Sequence, residues 1–530
     1  MSEEQARDDN PVPAGADVAR RRAGWWDTAF VLCTLAVVSL RFVILRRGGA
    51  PPTIDAGNWL AFGDAILGNG VRSPTIVYPP LVPLLTKGFV SLFGLTNGVA
   101  LLAALSSAAP AVGVFIALRC LKLRAASLLP ALLVLGASSV GEATAWGGFP
   151  QLIGLGLAPV ALVLFDRVLR NWRWGDALAG GITFAAVFAT SHMIGLIVAA
   201  AVLALQGPAL LQEGGVPADW RRRVAAFALV TLPSVWLIPV YWSLATTSAL
   251  GVSAPSSPNS LTWSNLLGQV EFLYRDSPWL WRFLLPLGIL APLLLWRHWR
   301  TPLWRVTTAL LLATLSVTAV YREARFLYLL TLVAGLGLAA WVMRGLEALR
   351  TDPGAAAGSS SPLRVVAAAG LVILTAGIGF QFLRSTPFFQ QQRDHYAILT
   401  PGLVSGIQYV ADTTEPETLV AVTSLNNAPL GWWVEAIAQR PTIYGSPLRW
   451  LSFADEITRA SIANELFVPP FPTAERLEFA KNAGIEIILI PTMWTFYDEA
   501  AVDTLARAEP PAVLRLNSDV TVIRPDAGSP

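Results

Sequence analysis

Residues 53–67 read "TIDAGNWLAFGDAIL", which sets two carboxylates, Asp55 and Asp64, among Trp59, Leu60, Phe62, Ile66 and Leu67. An acid in so apolar a stretch can cap a helix, or it can take a proton from a bound group. Trp59, Phe62 and Ile66 share one helical face, so the spacing predicts an amphipathic helix over 55–68 that lies on a membrane surface. Asp55 stands at its start. Asp64 follows nine residues later, about 180° round the helix at 100° per residue. The two acids therefore face opposite ways and cannot act as a close carboxylate pair, and Asp64 is expected on the solvated side.

Other residue types with chemical potential are scattered along the chain. "YREARFLYLL" (321–330) places Arg322 and Arg325 around Glu323. Such arginines either hold an anion or anchor the chain at an interface with Glu323 as ion-pair partner. Arg72 and Lys87 are further cations near the acids, and Tyr78 sits at a Pro79-Pro80 turn as an interfacial aromatic. "EATAWGGFPQLIG" (142–154) puts Glu142 beside Trp146. His192, in "TSHM", can line a cavity, ligate a metal or be satisfied by a neighbour. His298 and His395 lack metal-ligand spacing. No P-loop, dinucleotide fingerprint, Cys/His cluster or G-x-S-x-G occurs, so no cofactor is expected; metal dependence stays open, with a divalent cation allowed but not indicated by the sequence.

The elements that must position these residues are membrane helices. Only 14% of the 530 residues are charged, 54% are hydrophobic and mean hydropathy is +0.54. A soluble domain carries about 25% charged residues, so the chain reads as a polytopic membrane protein. Segments near 25–45, 96–120, 125–141, 150–166, 177–191, 193–210, 223–245, 283–297, 303–320, 326–343 and 364–383 suit spans, about eleven in all. The pair 177–191 and 193–210 is split at Ser191-His192, where polar groups are poorly placed in hydrocarbon. With the polar tail 1–24 cytoplasmic, disordered and ending near Arg20, Arg21 and Arg22, each even-numbered connection carries three basic residues, as the positive-inside rule requires. The basic charge thus belongs to topology, not to nucleic acid. Cys33 and Cys120 fall in or at the end of apolar segments and imply no disulfide framework.

This parity puts the connection 46–95 and everything after 385 outside the cell. The membrane part is then 25–384, with the Gly/Ser-rich 354–361 as a flexible cytoplasmic loop. The tail of the chain, 385–530, alternates patterns as a small extracytoplasmic α/β domain. Strands are expected at 418–424, 485–491 and 518–525, and helices at 427–439, 453–467 and 473–483. "GWWVEAIAQRPTIYGSPLRW" (431–450) clusters Trp432, Trp433, Tyr444 and Trp450 there, either as core or as a carbohydrate surface.

The first helix, the long external loop with its early Asp, the interfacial helix and "YPPLVPLL" together resemble the GT-C superfamily of membrane glycosyltransferases. "YREARFLYLL" is similar to the R/H-x-E-x-R-F/Y stretch of that superfamily, and "EATAWGGFPQLIG" resembles, more loosely, a Trp-Gly-Gly stretch in bacterial polytopic relatives. The "WWDYG" signature of oligosaccharyltransferases is absent. The resemblance implies a polyprenyl-phosphate sugar donor and an extracytoplasmic acceptor hydroxyl on a glycan, glycolipid or protein. It further implies an inverting transfer in which Asp55 is the general base. Arg325, Arg322, Arg72 and Lys87 become candidates for the donor phosphate. Glu142, Trp146, His192 and Tyr78 become candidates for substrate contact. The alternatives are a lipid-linked polysaccharide polymerase or ligase, a transporter or flippase, and a non-catalytic envelope-assembly protein.

Overall fold

The computed structural model describes residues 14–72, 78–212, 220–247, 262–274, 280–321, 324–350, 362–426, 428–448, 451, 453–508 and 513–525. The first helix, α1 (Ala14–Arg46), begins well inside the expected disordered tail, so residues 14–24 are helical. Each of the eleven expected spans is helical, but not all can cross a bilayer. Seven helices are long and apolar enough: Gly24–Arg46, Leu95–Cys120, Phe149–Asn171, Arg223–Leu244, Pro302–Tyr321, Arg325–Leu349 and Arg364–Thr413. An eighth is the pair Arg124–Leu135 and Ser138–Trp146, bent by 50°. The remaining three are Trp174–Thr190, His192–Gln212 and Leu280–Leu294, of 17, 21 and 15 residues. At 1.5 Å per residue the shortest reaches only roughly 22 Å, against roughly 30 Å of hydrocarbon. By length and apolarity, seven or eight of the eleven expected spans stand among the described residues. The break at Ser191 is present, with extended backbone at φ −151°, ψ 121°.

The connection after α1 folds into α2 (Ala56–Ile66) and α3 (Leu81–Phe93). Here the expectation of a helix lying on a membrane surface fails. Every residue of α2 from Ala56 to Asp64 is buried, although Ile66 stays exposed. α2 is covered by α3 and by the helix Gly431–Ala438 of the C-terminal domain. A Cβ on Gly57 would come within 2.8–2.9 Å of Trp433, so only glycine there lets the two helices close. Trp433 donates from Nε1 to the Thr53 carbonyl at 3.2 Å.

The domain itself is a five-stranded sheet in the order β4-β1-β5-β7-β6. The strands are β1 (Val420–Val422), β4 (Thr442–Tyr444), β5 (Ile487–Pro491), β6 (Val513–Arg515) and β7 (Val520–Ile523). β1 runs parallel to both β4 and β5, with Val420 opposite Thr442 and Ile487, whereas β5–β7 and β6–β7 are antiparallel. All five residues of β5 are buried, as its unbroken apolar run requires of a central strand. The three expected strands and the helices Ala454–Leu466 and Ala474–Asn482 are present. The expected helix 427–439 is shortened to Gly431–Ala438 by a small β2–β3 pairing (Ser424–Leu425, Ala428–Pro429). β4, β6 and the helices Pro401–Thr413 and Glu499–Ala508 are additions to the expected elements.

One apolar core runs from the first loop into this domain and includes Trp59, Phe62, Tyr78, Trp433, Tyr444 and Ile488. Across it, Arg72 Nε meets Glu435 Oε2 at 2.8 Å with both side chains 1% exposed. Arg459 Nη1 meets the other oxygen at 2.6 Å. Burial pushes the Glu435 carboxyl up, but Arg72 and Arg459 outweigh it and hold the group below its usual range. The helix Pro362–Tyr396 crosses the expected boundary at 385 without a break and carries the membrane part into the domain.

Candidate active site

The placement of Asp55 follows from two local sequences meeting. The helix Ser138–Trp146 ends at Gly147 with φ +98°, a left-handed conformation that favours glycine. A Cβ on Gly147 would sit 3.2 Å from the backbone nitrogen and Cβ of Asp55. In that gap the Asp55 amide donates to the Trp146 carbonyl at 3.0 Å, and Trp59 Nε1 donates to the Gly147 carbonyl at 2.8 Å. "AWGG" and "IDAGNW" are thus the two halves of one clamp.

Asp55 occupies the N-cap position of α2, yet its side chain makes no capping hydrogen bond. Its carboxylate instead lines a cavity. From α2 and the loop after it come Asn58, Trp59 and Tyr78. From the membrane helices come Gln151, His192 and Arg325. From the C-terminal domain come Trp432, Phe453 and Glu456. Burial pushes the Asp55 carboxyl up to about 7; Arg325 opposes the rise, and Glu456 and Glu142 add to it. Arg325 lies half-buried on the 3₁₀ turn Ala324–Tyr328 and has no ion-pair or hydrogen-bond partner among the described residues. The His192 ring stands edge-on to Tyr78 at 5.6 Å, and its buried Nδ1 has no hydrogen-bond partner among the described residues.

The structure separates the other candidates. Glu142 does not line the cavity. It accepts hydrogen bonds from Trp146 Nε1 at 3.1 Å, from the Tyr396 hydroxyl at 2.8 Å and from the Tyr328 hydroxyl. Glu142 and Trp146 therefore stand behind the site and tie three elements together: the Asp55 clamp, the Arg325 turn and the end of Pro362–Tyr396. Arg72 is held by Glu435, by Asn58 Oδ1 at 2.5 Å and by the Phe62 ring at 4.3 Å, and it stands behind Asn58 and Phe62 without lining the cavity itself. Lys87 pairs with Asp64. Arg322 and Trp450 lie outside the described residues. The expectation that Asp64 is solvated is corrected: it is 3% exposed, ion-paired with Lys87, and accepts from Gln439 Nε2 at 2.9 Å.

Gln151 and Glu456 were not singled out in the sequence. Gln151 follows the Trp-Gly-Gly stretch closely enough to have been included, whereas Glu456, on an ordinary polar helix, gives no local signal. No group of three His, Cys, Asp or Glu residues that could hold a metal occurs among the described residues.

No family model matches the sequence, and no curated relative does. The three-dimensional structure does have relatives. ArnT from Cupriavidus metallidurans in the apo state matches with a TM-score of 0.57 at 16% identity, covering 96% of this chain and 100% of ArnT. ArnT bound to undecaprenyl phosphate matches at 0.57 and 15% identity, over 95% and 99% of the two chains. The oligosaccharyltransferase AglB from Archaeoglobus fulgidus, in complex with an inhibitory peptide and a dolichol-phosphate, matches at 0.53 and 15% identity, over 88% and 69%. The chain accordingly shares the fold of ArnT and AglB: a polytopic helical membrane protein with a small C-terminal α/β region. At these identities the likeness is one of fold, and it takes in an oligosaccharyltransferase although "WWDYG" is missing here.

Proposed function

We propose that this protein is a glycosyltransferase that moves one sugar from a polyprenyl-phosphate carrier to an acceptor hydroxyl outside the cell, with inversion. One observation carries the reading: a carboxylate with its pKa raised to about 7, Asp55, and the cation Arg325 line one cavity. A base titrating near the working pH combines a useful ionised fraction with real basicity.

The chemistry follows from those two groups. The acceptor oxygen forms a bond to the anomeric carbon while the bond from that carbon to the phosphate oxygen breaks. The bonding pair leaves with the phosphate, and the acceptor proton passes to Asp55. A lipid phosphate needs no proton to leave, but its charge is stabilised by a guanidinium, and Arg325 is the group without a partner among the described residues. Donor binding also sharpens the base. Arg325 lowers the Asp55 pKa in the empty site. A phosphate anion that pairs with Arg325 cancels that effect, so Asp55 becomes more basic once the donor is seated. His192 and Tyr78 line the same cavity and would contact the substrate. The undecaprenyl phosphate in ArnT and the dolichol-phosphate in AglB support a polyprenyl carrier. The arginine distribution supports an outward-facing site.

The test is direct transfer. Purified full-length protein should release labelled sugar from at least one of a panel of polyprenyl-phosphate sugars to an acceptor or to water. Failure to turn over or bind any of them would remove the proposal.

A further inference from the structure

The wall that faces Asp55 from the C-terminal domain has chemistry of its own. Glu456 is 2% exposed and belongs to Ala454–Leu466, and Trp432 belongs to Gly431–Ala438. Both line the cavity. The Trp432 indole donates to Glu456 Oε1 at 3.3 Å and to the Tyr444 hydroxyl at 3.3 Å, which fixes the ring and the carboxylate relative to one another. Across the cavity Gln151 is 4% exposed, and its buried Oε1 has no hydrogen-bond partner among the described residues. An orphan acceptor in a buried site is unfavourable unless something donates to it. The α2 side adds Asn58, whose Oδ1 is already committed to Arg72 at 2.5 Å.

We infer that Glu456, Trp432 and Gln151 form the subsite for the transferred sugar, and that this sugar carries no negative charge. The inference rests on the glycosyltransferase reading above. A carboxylate and an amide oxygen accept hydrogen bonds from sugar hydroxyls, and an indole beside them offers an apolar face to ring C–H groups. The same wall rejects an anionic sugar. A uronate carboxylate would enter a cavity that already holds Asp55 and Glu456, and only Arg325, committed to the phosphate, could offset three like charges. Specificity thus comes from the domain, while the reacting groups come from the first loop and the membrane helices. This gives the C-terminal domain a task beyond covering α2.

The full-length protein in lipid nanodiscs is the material for the test. Binding is measured for undecaprenyl phosphate alone, for its neutral hexose and pentose conjugates, and for the matched hexuronates. At least one neutral conjugate should bind about ten-fold more tightly than the bare lipid and than its uronate, the size of one or two good hydrogen bonds. Glu456→Gln should shrink the neutral-to-uronate ratio about ten-fold, chiefly by improving uronate binding, a gain that misfolding cannot produce. Gln151→Leu should weaken the neutral conjugate several-fold and raise the melting temperature of the empty protein, because the orphan acceptor is gone. An unchanged ratio in Glu456→Gln, or equal binding of bare lipid and all conjugates by the wild type, overturns the subsite and leaves the glycosyltransferase reading standing. A wild type that binds no polyprenyl phosphate at all overturns both.

Discussion

Asp55 and Asp64 sit on one helix, nine residues apart, and the fold treats them in opposite ways. Asp64 is neutralised: Lys87 pairs with it and Gln439 donates to it, so its charge is spent on holding α2 to α3 and to the C-terminal domain. Asp55 is denied such partners. It lines a cavity, makes no cap and is pushed up to about 7 by burial, with Glu456 and Glu142 adding to the rise against Arg325. The same side chain is thus structural where its charge is paired, and it is the proposed base where its charge is left unpaired. Burial alone does not separate them, since the more buried acid, Asp64, is the structural one.

The sharpest way to break this contrast is Asp55→Asn. Asparagine keeps the volume and removes only the proton-accepting charge. Turnover should fall about a hundred-fold or more, the usual scale for loss of a general base, while donor binding persists. Full activity in a stopped-flow or radiolabel assay would show that Asp55 is not the base.

Arg325→Ala ranks next. Donor affinity should drop roughly ten- to a hundred-fold, the loss of a charge-assisted contact, and lysine should restore part of it. The pH profile adds an independent readout. Activity requires ionised Asp55, so kcat/KM should rise with pH through about 7 in the wild type. Arg325 lowers that pKa, so its removal should move the acid limb to higher pH. A limb that stays put would mean that Arg325 does not act on Asp55.

Much of this contrast was legible in the sequence, and the part that was not has a common cause. The 180° separation of Asp55 and Asp64 is a property of helical spacing and needs no tertiary structure. The strands around Ile487–Pro491 and Val420–Val422 announce themselves as apolar runs. What failed depended on residues far away in the chain. α2 reads as an interfacial helix because the partner that buries it, Trp433, lies more than three hundred residues on. The same distance hid the pairing of Arg72 with Glu435, so an arginine beside the acids looked available when it was not. Glu456 reaches the cavity only because the domain folds over the first loop. The shorter apolar helices are a different case: apolarity marks a helix as buried in lipid or protein, and length is the further condition for crossing.

Asp64→Asn sharpens the other side of the comparison. It removes the Lys87 pair while keeping an acceptor for Gln439. Because Lys87 is 34% exposed, water takes over part of the lost interaction. A destabilisation of about 1–2 kcal/mol is expected, read as a lower melting temperature in detergent, with turnover within a few-fold of wild type. Loss of turnover without loss of stability would place Asp64 in the chemistry and reverse the assignment.

The smallest effect is also the most specific, because it concerns stability at the reactive acid. The folded protein holds the Asp55 proton up to about 7, whereas the unfolded chain releases it near the ordinary value of 3.8. Between those values the folded state binds more protons, so wild-type stability falls as pH rises and levels off above 7. The amide introduced by Asp55→Asn cannot ionise and escapes that loss. This variant should therefore melt above the wild type at pH 8, and the gap should close by about pH 4. Its size is on the order of 1 kcal/mol once residual water contact is allowed for. Asp64→Asn should be the less stable protein at the same pH, because it has lost its ion pair with Lys87. Opposite signs for two Asp→Asn changes on one helix would separate a strained acid from a paired one without any substrate. A destabilised Asp55→Asn at pH 8 would mean instead that its carboxylate is held by partners, and that α2 carries two structural acids.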